Sequence, residues 1–290
     1  MCTRPRFVYI KDGVPQFMHP STTLDKFNEL KNKSIINQNR YYSIPCGKCI
    51  ECLSSYHKNW TLRCMLESKQ YKDNCFITLT YANTDGFLCR KDIQLFIKRL
   101  RKKFSDIKIR YFGCGEYGSK GLRPHFHLLL FNFDFDDKYL YKISKRGERL
   151  FRSSTLEKLW PFGYSSIGDV NENSVRYCSK YMQKFNNIPD DFIDYDTGEI
   201  IESVMPFNFM SLKPGIGLNY FLDNFDGTND IFMHGFRYTI PRYFLTKLSD
   251  SDFIKIKNKK KILSEFYYSN PEDLYQREKF QQKKLKIYSN

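Results

Sequence analysis

YFGCGEYGSKGLRPHFHLLLF, spanning Tyr111 to Phe131, contains two strand-like runs joined by a connection rich in glycine and charge. The runs are Tyr111 to Tyr117 and His125 to Phe131. Side chains of a strand alternate between faces, so His125 and His127 point one way and Phe126 and Leu128 the other. On the first run Phe112, Cys114 and Glu116 share a face. An antiparallel pairing with Glu116 opposite His125 puts Cys114 opposite His127 and brings all four to one side of the sheet. Two imidazoles and a carboxylate then converge on the space of one divalent cation. The plainer reading makes His125 and His127 two half-buried polar side chains on an apolar strand. Glu116 upstream and tyrosines downstream favour the metal site.

The 290 residues allow one large domain or two small ones, with enough chain for a real core. Hydrophobic residues make up 41%, with 26 Phe and 21 Tyr, which is globular rather than disordered composition. A formal charge of +15 points to a polyanionic partner. Aromatics interleaved with Lys and Arg suit unpaired bases, which stack on rings while cations follow the phosphates. A basic ribosomal or membrane-surface protein shares that balance, so charge alone does not choose. No apolar run approaches the ~20 residues of a membrane span, and the start, MCTRPRFVYIKDGV, lacks a signal-peptide core. Nine cysteines without an export signal imply reduced thiols or metal ligands, and a cytosolic protein, rather than a disulfide framework.

Around the central stretch, five regions are expected. Residues 1–45 read as an arm of short strands, with Asp12-Gly13 a hairpin turn. Residues 46–74 open with CGKCIEC: Cys46, Cys49 and Cys52 are spaced for a tetrahedral ion, with Cys64 as fourth ligand from a helix over about 53–67. Structural zinc, an iron–sulfur cluster and free thiols in a packed turn all remain open. In the third region, 75–185, CFITLTY (Cys75 to Tyr81) reads as a core strand. Asp92 to Phe104 has helical spacing of Ile93, Phe96, Ile97 and Leu100. Lys98, Arg101, Lys102 and Lys103 on that helix are candidate phosphate contacts or a solvated face. Asp134 to Arg152 reads as a charged surface excursion. Ser174 to Phe185, SVRYCSKYMQKF, reads as a helix with Tyr177 and Tyr181 one turn apart and Lys180 and Lys184 in a neighbouring row. Arg123 and Lys184 complete the candidate nucleic-acid contacts. Residues 186–235 read as an irregular insertion and 236–290 as a basic region, ordered at first, with ten Lys or Arg against four acidic residues from Lys255 on.

A His–His–Glu cation beside tyrosines in a basic, aromatic chain points to phosphoryl transfer on single-stranded nucleic acid. A phenol, with its pKa near 10, is a poor nucleophile at neutral pH, and Lys180 nearby favours the phenolate. Mn²⁺ tolerates imidazole ligands better than Mg²⁺; either ion suits the proposal.

GEYG…RPHFH, RYCSKYMQK and FITLTY resemble the three motifs of the HUH (His-hydrophobe-His) rolling-circle replication initiators, the microvirus proteins of gokushovirus type above all. PCGKCIEC with Trp60 and Cys64, FMSLKPGIGLNYF (Phe209 to Phe221) and IPRYF (Ile240 to Phe244) are similar to that group too. The resemblance implies an α+β fold: a central antiparallel sheet with flanking helices, metal ligands on strands and tyrosines on a helix beside them. It implies an endonuclease that nicks single-stranded origin DNA, attaches to the 5′ phosphate, leaves a 3′ hydroxyl to prime replication and later rejoins the strand in the host bacterial cytoplasm. By position, His125, His127 and Glu116 become ligands of Mg²⁺ or Mn²⁺, Tyr177 and Tyr181 nucleophiles, and Lys180 their assistant. Cys178-Ser179 between the tyrosines departs from the small apolar residues common there. The sequence leaves open whether the basic tail recruits a host helicase, and a non-enzymatic single-strand-binding or packaging protein is the rival reading.

Overall fold

Asp12 and Gly13 both take positive φ (49° and 78°), the backbone of a two-residue hairpin turn. They join β1 (Arg6–Lys11) to β2 (Val14–Phe17), and β3 (Arg40–Ile44) pairs with the other side of β1. In this computed structural model the residues described are 2–33, 40–82, 86–118, 121–144, 147–180, 192–193, 200–201, 203–267, 275–277, 279–280 and 283. The chain divides into two units, Met1–Tyr56 with Leu245–Asn290, and His57–Phe244. In the first, Phe7 stacks on Phe27 of the helix Leu24–Asn32 at 4.3 Å between ring centres. Thr23 caps that helix by accepting from the Lys26 N–H.

The second unit is built on one antiparallel sheet of seven strands. They are β4 (Asn74–Tyr81), β5 (Arg110–Tyr117), β6 (Pro124–Phe131), β7 (Tyr139–Ile143), β8 (Arg149–Arg152), β9 (Gly163–Asp169) and, after the short pair β10 (Phe192–Ile193) and β11 (Ile200–Ile201), β12 (Phe207–Met210). Their order across the sheet is β12-β5-β6-β4-β9-β8-β7. A small hairpin, β13 (Asp230–Met233) with β14 (Phe236–Thr239), stands apart from it. The architecture is α+β, an antiparallel sheet with flanking helices.

Strand alternation gives the sheet two faces. Ile77, Leu79, Phe126, Leu128 and Leu130 lie on one, packed with Ile93, Phe96, Ile97 and Leu100 of the helix Arg90–Lys103 and with Trp160. That apolar stripe recurs every three or four residues, as burial on one helix side requires. On the opposite face Phe112 stacks on Trp60 of the helix Ile50–Lys69 at 5.0 Å. The helix Glu172–Lys180 lies against β5 and β6, with Val175, Cys178 and Ser179 buried.

Two stretches fold further than their composition implies. The charged excursion after Asp134 supplies β7 and β8, which extend the sheet with Phe151 opposite Ile167. Phe207–Met210, inside the expected irregular insertion, forms the other edge against β5, and its Phe207 and Phe209 pack with the core.

A buried ion pair joins the sheet to its second helix layer. Arg110 donates to Glu67 through Nε and to the Pro214 carbonyl at 2.7 Å, and the Gly217 N–H donates to Glu67 Oε2 at 2.6 Å. Removing one buried partner strands the other's charge, so Glu67→Ala is expected to cost about 3–5 kcal/mol in urea unfolding. A loss below about 1 kcal/mol, the range of exposed pairs, would contradict this.

Candidate metal centre

Pairing of β5 with β6 sets Glu116 opposite His125 and Cys114 opposite His127. β4 continues both rows, with Thr80 beside His125 and Thr78 beside His127. The donor atoms of Glu116, His125 and His127 all lie within 4.8 Å of one another. His125 Nε2 is 2.9 Å and His127 Nε2 3.1 Å from Glu116 Oε1.

The tautomer of His125 follows from its surroundings. Its Nδ1 is 3.0 Å from the Arg123 carbonyl, which only accepts, so Nδ1 carries the hydrogen. Nε2 of the neutral ring then presents a lone pair toward the carboxylate. Thr78 Oγ1 holds His127 Nδ1 at 3.0 Å, and Phe76 stacks on the His127 ring at 5.6 Å and 10°. Burial lowers the His127 pKa against the opposing pull of Glu116, which keeps this imidazole neutral near pH 7. For Glu116 burial pushes upward, but hydrogen bonds and charge from His125 and His127 prevail, and its pKa falls below the usual value. A carboxylate therefore faces imidazole lone pairs at hydrogen-bond range. Such an arrangement repels unless a proton or a cation stands among the donors.

The residues fit a divalent cation on two further counts. Glu116 Oε2 is buried and has no hydrogen-bond partner among the described residues. An unpaired buried oxygen costs about 1–3 kcal/mol, which coordination would remove. Neighbouring donors on an octahedral ion with bonds of about 2.1 Å stand ~3.0 Å apart, and the nitrogens stand 2.9 and 3.1 Å from Oε1.

Tyr177 reaches this cluster from the helix Glu172–Lys180. Asn171 starts that helix, its Oδ1 accepting from the Ser174 N–H at 3.0 Å. Glu172 favours the positive helix end and pairs with Arg176 one turn on at 2.6 Å. Cys178 docks on β5 through the Cys114 thiol. Ser179 fixes the far turn, bonded to His57 Nδ1 at 2.8 Å and Thr61 Oγ1 at 3.0 Å. With Val175, Cys178 and Ser179 turned inward, Tyr177 sits at the margin, 39% exposed. Its hydroxyl is 3.4 Å from Glu116 Oε1, and its ring stands edge-on to His127 at 4.8 Å.

Glu116, His125, His127 and Tyr177 thus meet, while other candidates fall elsewhere. Lys98, Arg101, Lys102 and Lys103 are exposed on the helix that covers the sheet face carrying Phe126 and Leu128. They stand behind the sheet from the imidazoles, because that helix buries its apolar stripe there. Arg123 contributes its carbonyl. Lys180 is the last residue of its helix; Tyr181 and Lys184 lie outside the described residues. Thr78 and Phe76, which hold His127, are not among the site residues expected from the sequence, although their phase on β4 matches that of the imidazoles.

A second donor set occurs in the first unit: Cys2, Cys46, Cys49 and Cys52 have sulfurs within 4.8 Å of one another. Cys64 is not among them, contrary to expectation. The helix begins at Ile50, not near Leu53, so Cys52 and Cys64 share one helix. Twelve residues at about 1.5 Å each set them ~18 Å apart along its axis. Cys64 is instead fully buried.

A sheet displaying two imidazoles and a carboxylate, with a phenol held over them by a helix, defines a cation centre with an adjoining nucleophile. The family model for the replication-associated protein ORF2 matches residues 74–186, which contain that centre. The chain is 32% identical over 237 residues to the replication-associated protein ORF2 of Spiroplasma virus 4, covering 77% of this chain and 70% of that protein. It is 31% identical over 228 residues to the replication-associated protein VP4 of Bdellovibrio phage phiMH2K, covering 73% and 70%. With the replication-associated protein ORF4 of Chlamydia phage 1 it shares 31% over 250 residues, 79% of this chain and 59% of that protein. No solved structure matches. The chain belongs to the replication-associated proteins of these microviruses and has a role in viral replication. Among the described residues no helix is long and apolar enough to cross a membrane.

Proposed function

We propose that the chain is the replication initiator endonuclease of its virus, nicking single-stranded origin DNA with Tyr177. The observation that carries this is the Tyr177 hydroxyl, 3.4 Å from the carboxylate shared by His125 and His127. His125, His127 and Glu116 would hold Mn²⁺ or Mg²⁺, and the bound ion would supply Lewis-acid stabilisation of charge on the scissile phosphate and the leaving 3′ oxygen. The Arg123 carbonyl and Thr78 fix the two rings so that their donor nitrogens face inward. Tyr177 then attacks phosphorus: its oxygen forms the new P–O bond as the bond to the 3′ oxygen breaks. The phenolic proton leaves toward Glu116, and the 3′ oxygen takes up a proton, so charge and phosphoester count are unchanged. The 5′ end stays on the protein as a phosphotyrosine, which preserves the ester for rejoining. Tyr181 is the candidate for the second attack and Lys180 the candidate for favouring the phenolate. A denaturing gel with a 5′-unlabelled, 3′-labelled origin oligonucleotide tests the reading. A shifted, labelled protein band supports it. Cleavage without that band would mean that water is the nucleophile, and binding without cleavage a non-enzymatic DNA-binding protein.

The strand would run over the open part of the same sheet face. Tyr164 lies opposite Thr80, which lies opposite His125, so the three share that face. Two strand spacings put Tyr164 ~10 Å from the centre, and it is 62% exposed. Stacking of one base is worth about 1–3 kcal/mol, so Tyr164→Ala should weaken oligonucleotide binding about tenfold in fluorescence anisotropy, while Tyr164→Trp keeps it. Unchanged affinity in Tyr164→Ala would exclude this path.

A further inference from the structure

We propose that Cys2, Cys46, Cys49 and Cys52 bind one structural Zn²⁺ as a tetrathiolate, with Cys2 as the fourth ligand. The proposal is independent of the nuclease reading, since it concerns other residues in the other unit. Four sulfurs around one zinc, each about 2.3 Å away, stand ~3.8 Å from one another. Cys49 and Cys2 are 3.7 Å apart and Cys46 and Cys52 4.0 Å. All four fit within 4.8 Å, the span of a single ion. An iron–sulfur cluster distributes its thiolates over several irons and needs them further apart.

The backbone around the sulfurs is arranged for thiolates. Gly47, at φ +76°, turns the chain so that the N–H groups of Lys48 and Cys49 both point at Cys46 Sγ, at 3.4 and 3.2 Å. The Cys46 N–H points at Cys2 Sγ, at 3.3 Å. Donors aimed at sulfur favour its charged form, as the surroundings of metal ligands do. Cys52 stands in the first turn of the helix Ile50–Lys69, where the helix dipole favours the negative charge of a tetrathiolate. The ion would tie the second residue of the chain to a loop 44 residues later.

Zinc content of the full chain purified from cells tests this, measured by native and elemental mass spectrometry in a His125→Ala, His127→Ala background so that the imidazoles contribute nothing. One zinc per chain is expected, kept in Cys64→Ser and reduced to a small fraction in Cys2→Ser. Absence of metal, iron in place of zinc, full zinc in Cys2→Ser, or its loss in Cys64→Ser alone would overturn the proposal. Should Cys2→Ser not fold, the background chain produced in cobalt-supplemented medium decides. Thiolate-to-cobalt absorption of four-sulfur intensity is expected, and the intensity of three or fewer sulfurs would refute the ligand set.

Discussion

Tyr177→Phe is expected to abolish the covalent protein–DNA adduct and to lower origin cleavage by about four orders of magnitude or more, the scale on which loss of an essential nucleophile acts. The substitution removes a single oxygen. The edge contacts of the ring with His127 and Phe76, at 4.8 and 6.5 Å, remain. The hydrogen bond lost is long, 3.4 Å to Glu116. Unfolding stability should therefore change by less than about 1 kcal/mol, and oligonucleotide affinity by less than about twofold, since no phosphate or base contact is removed. This separation matters, because a binding protein with a structural tyrosine predicts the reverse: weaker binding and no cleavage to lose. Tyr181→Phe is the necessary companion. Full adduct in Tyr177→Phe together with loss in Tyr181→Phe would transfer the first attack to Tyr181. Adduct formation by the double variant would remove both.

The pairing of Glu116 with His125 could be read before any coordinates existed, because a strand's two-residue period leaves few registers that put every polar group of GEY and HFH on one face. The central sheet and its helical layers follow from the same alternation and from the stripe of Ile93, Phe96, Ile97 and Leu100. What escaped reading depended on partners distant in sequence. Phe207–Met210 is four residues long and acquires strand character from β5, which lies some ninety residues earlier. β7 and β8 carry the charges of a loop, and only their attachment to β9 makes them sheet. Cys2 has no neighbour with ligand spacing; folding alone brings it to Cys49. Cys64 was misplaced by an error of about three residues in a helix start, which carried it from one ion's reach to ~18 Å away.

Glu116→Gln is expected to lose both cation binding and catalysis while keeping the fold. The amide has the shape of the carboxylate but none of its charge, so it can still hydrogen-bond one imidazole and cannot balance a divalent ion. In thermal unfolding, Mn²⁺ at saturating concentration should raise the midpoint of the parent chain, because a ligand bound only by the folded state stabilises it by mass action. The same addition should leave Glu116→Gln and His127→Ala unmoved. Origin cleavage in either variant should fall by about 10³-fold, which is the several kcal/mol that Lewis-acid stabilisation is worth. Excess Mn²⁺ should not restore it, since His125 alone cannot rebuild a three-donor site. In the parent chain, chelation should stop cleavage and added Mn²⁺ should return it. An undiminished midpoint shift in Glu116→Gln would show that Mn²⁺ binds elsewhere. The close approach of the imidazoles to Glu116 Oε1 would then reflect a shared proton, the other positive charge able to reconcile a buried carboxylate with two rings.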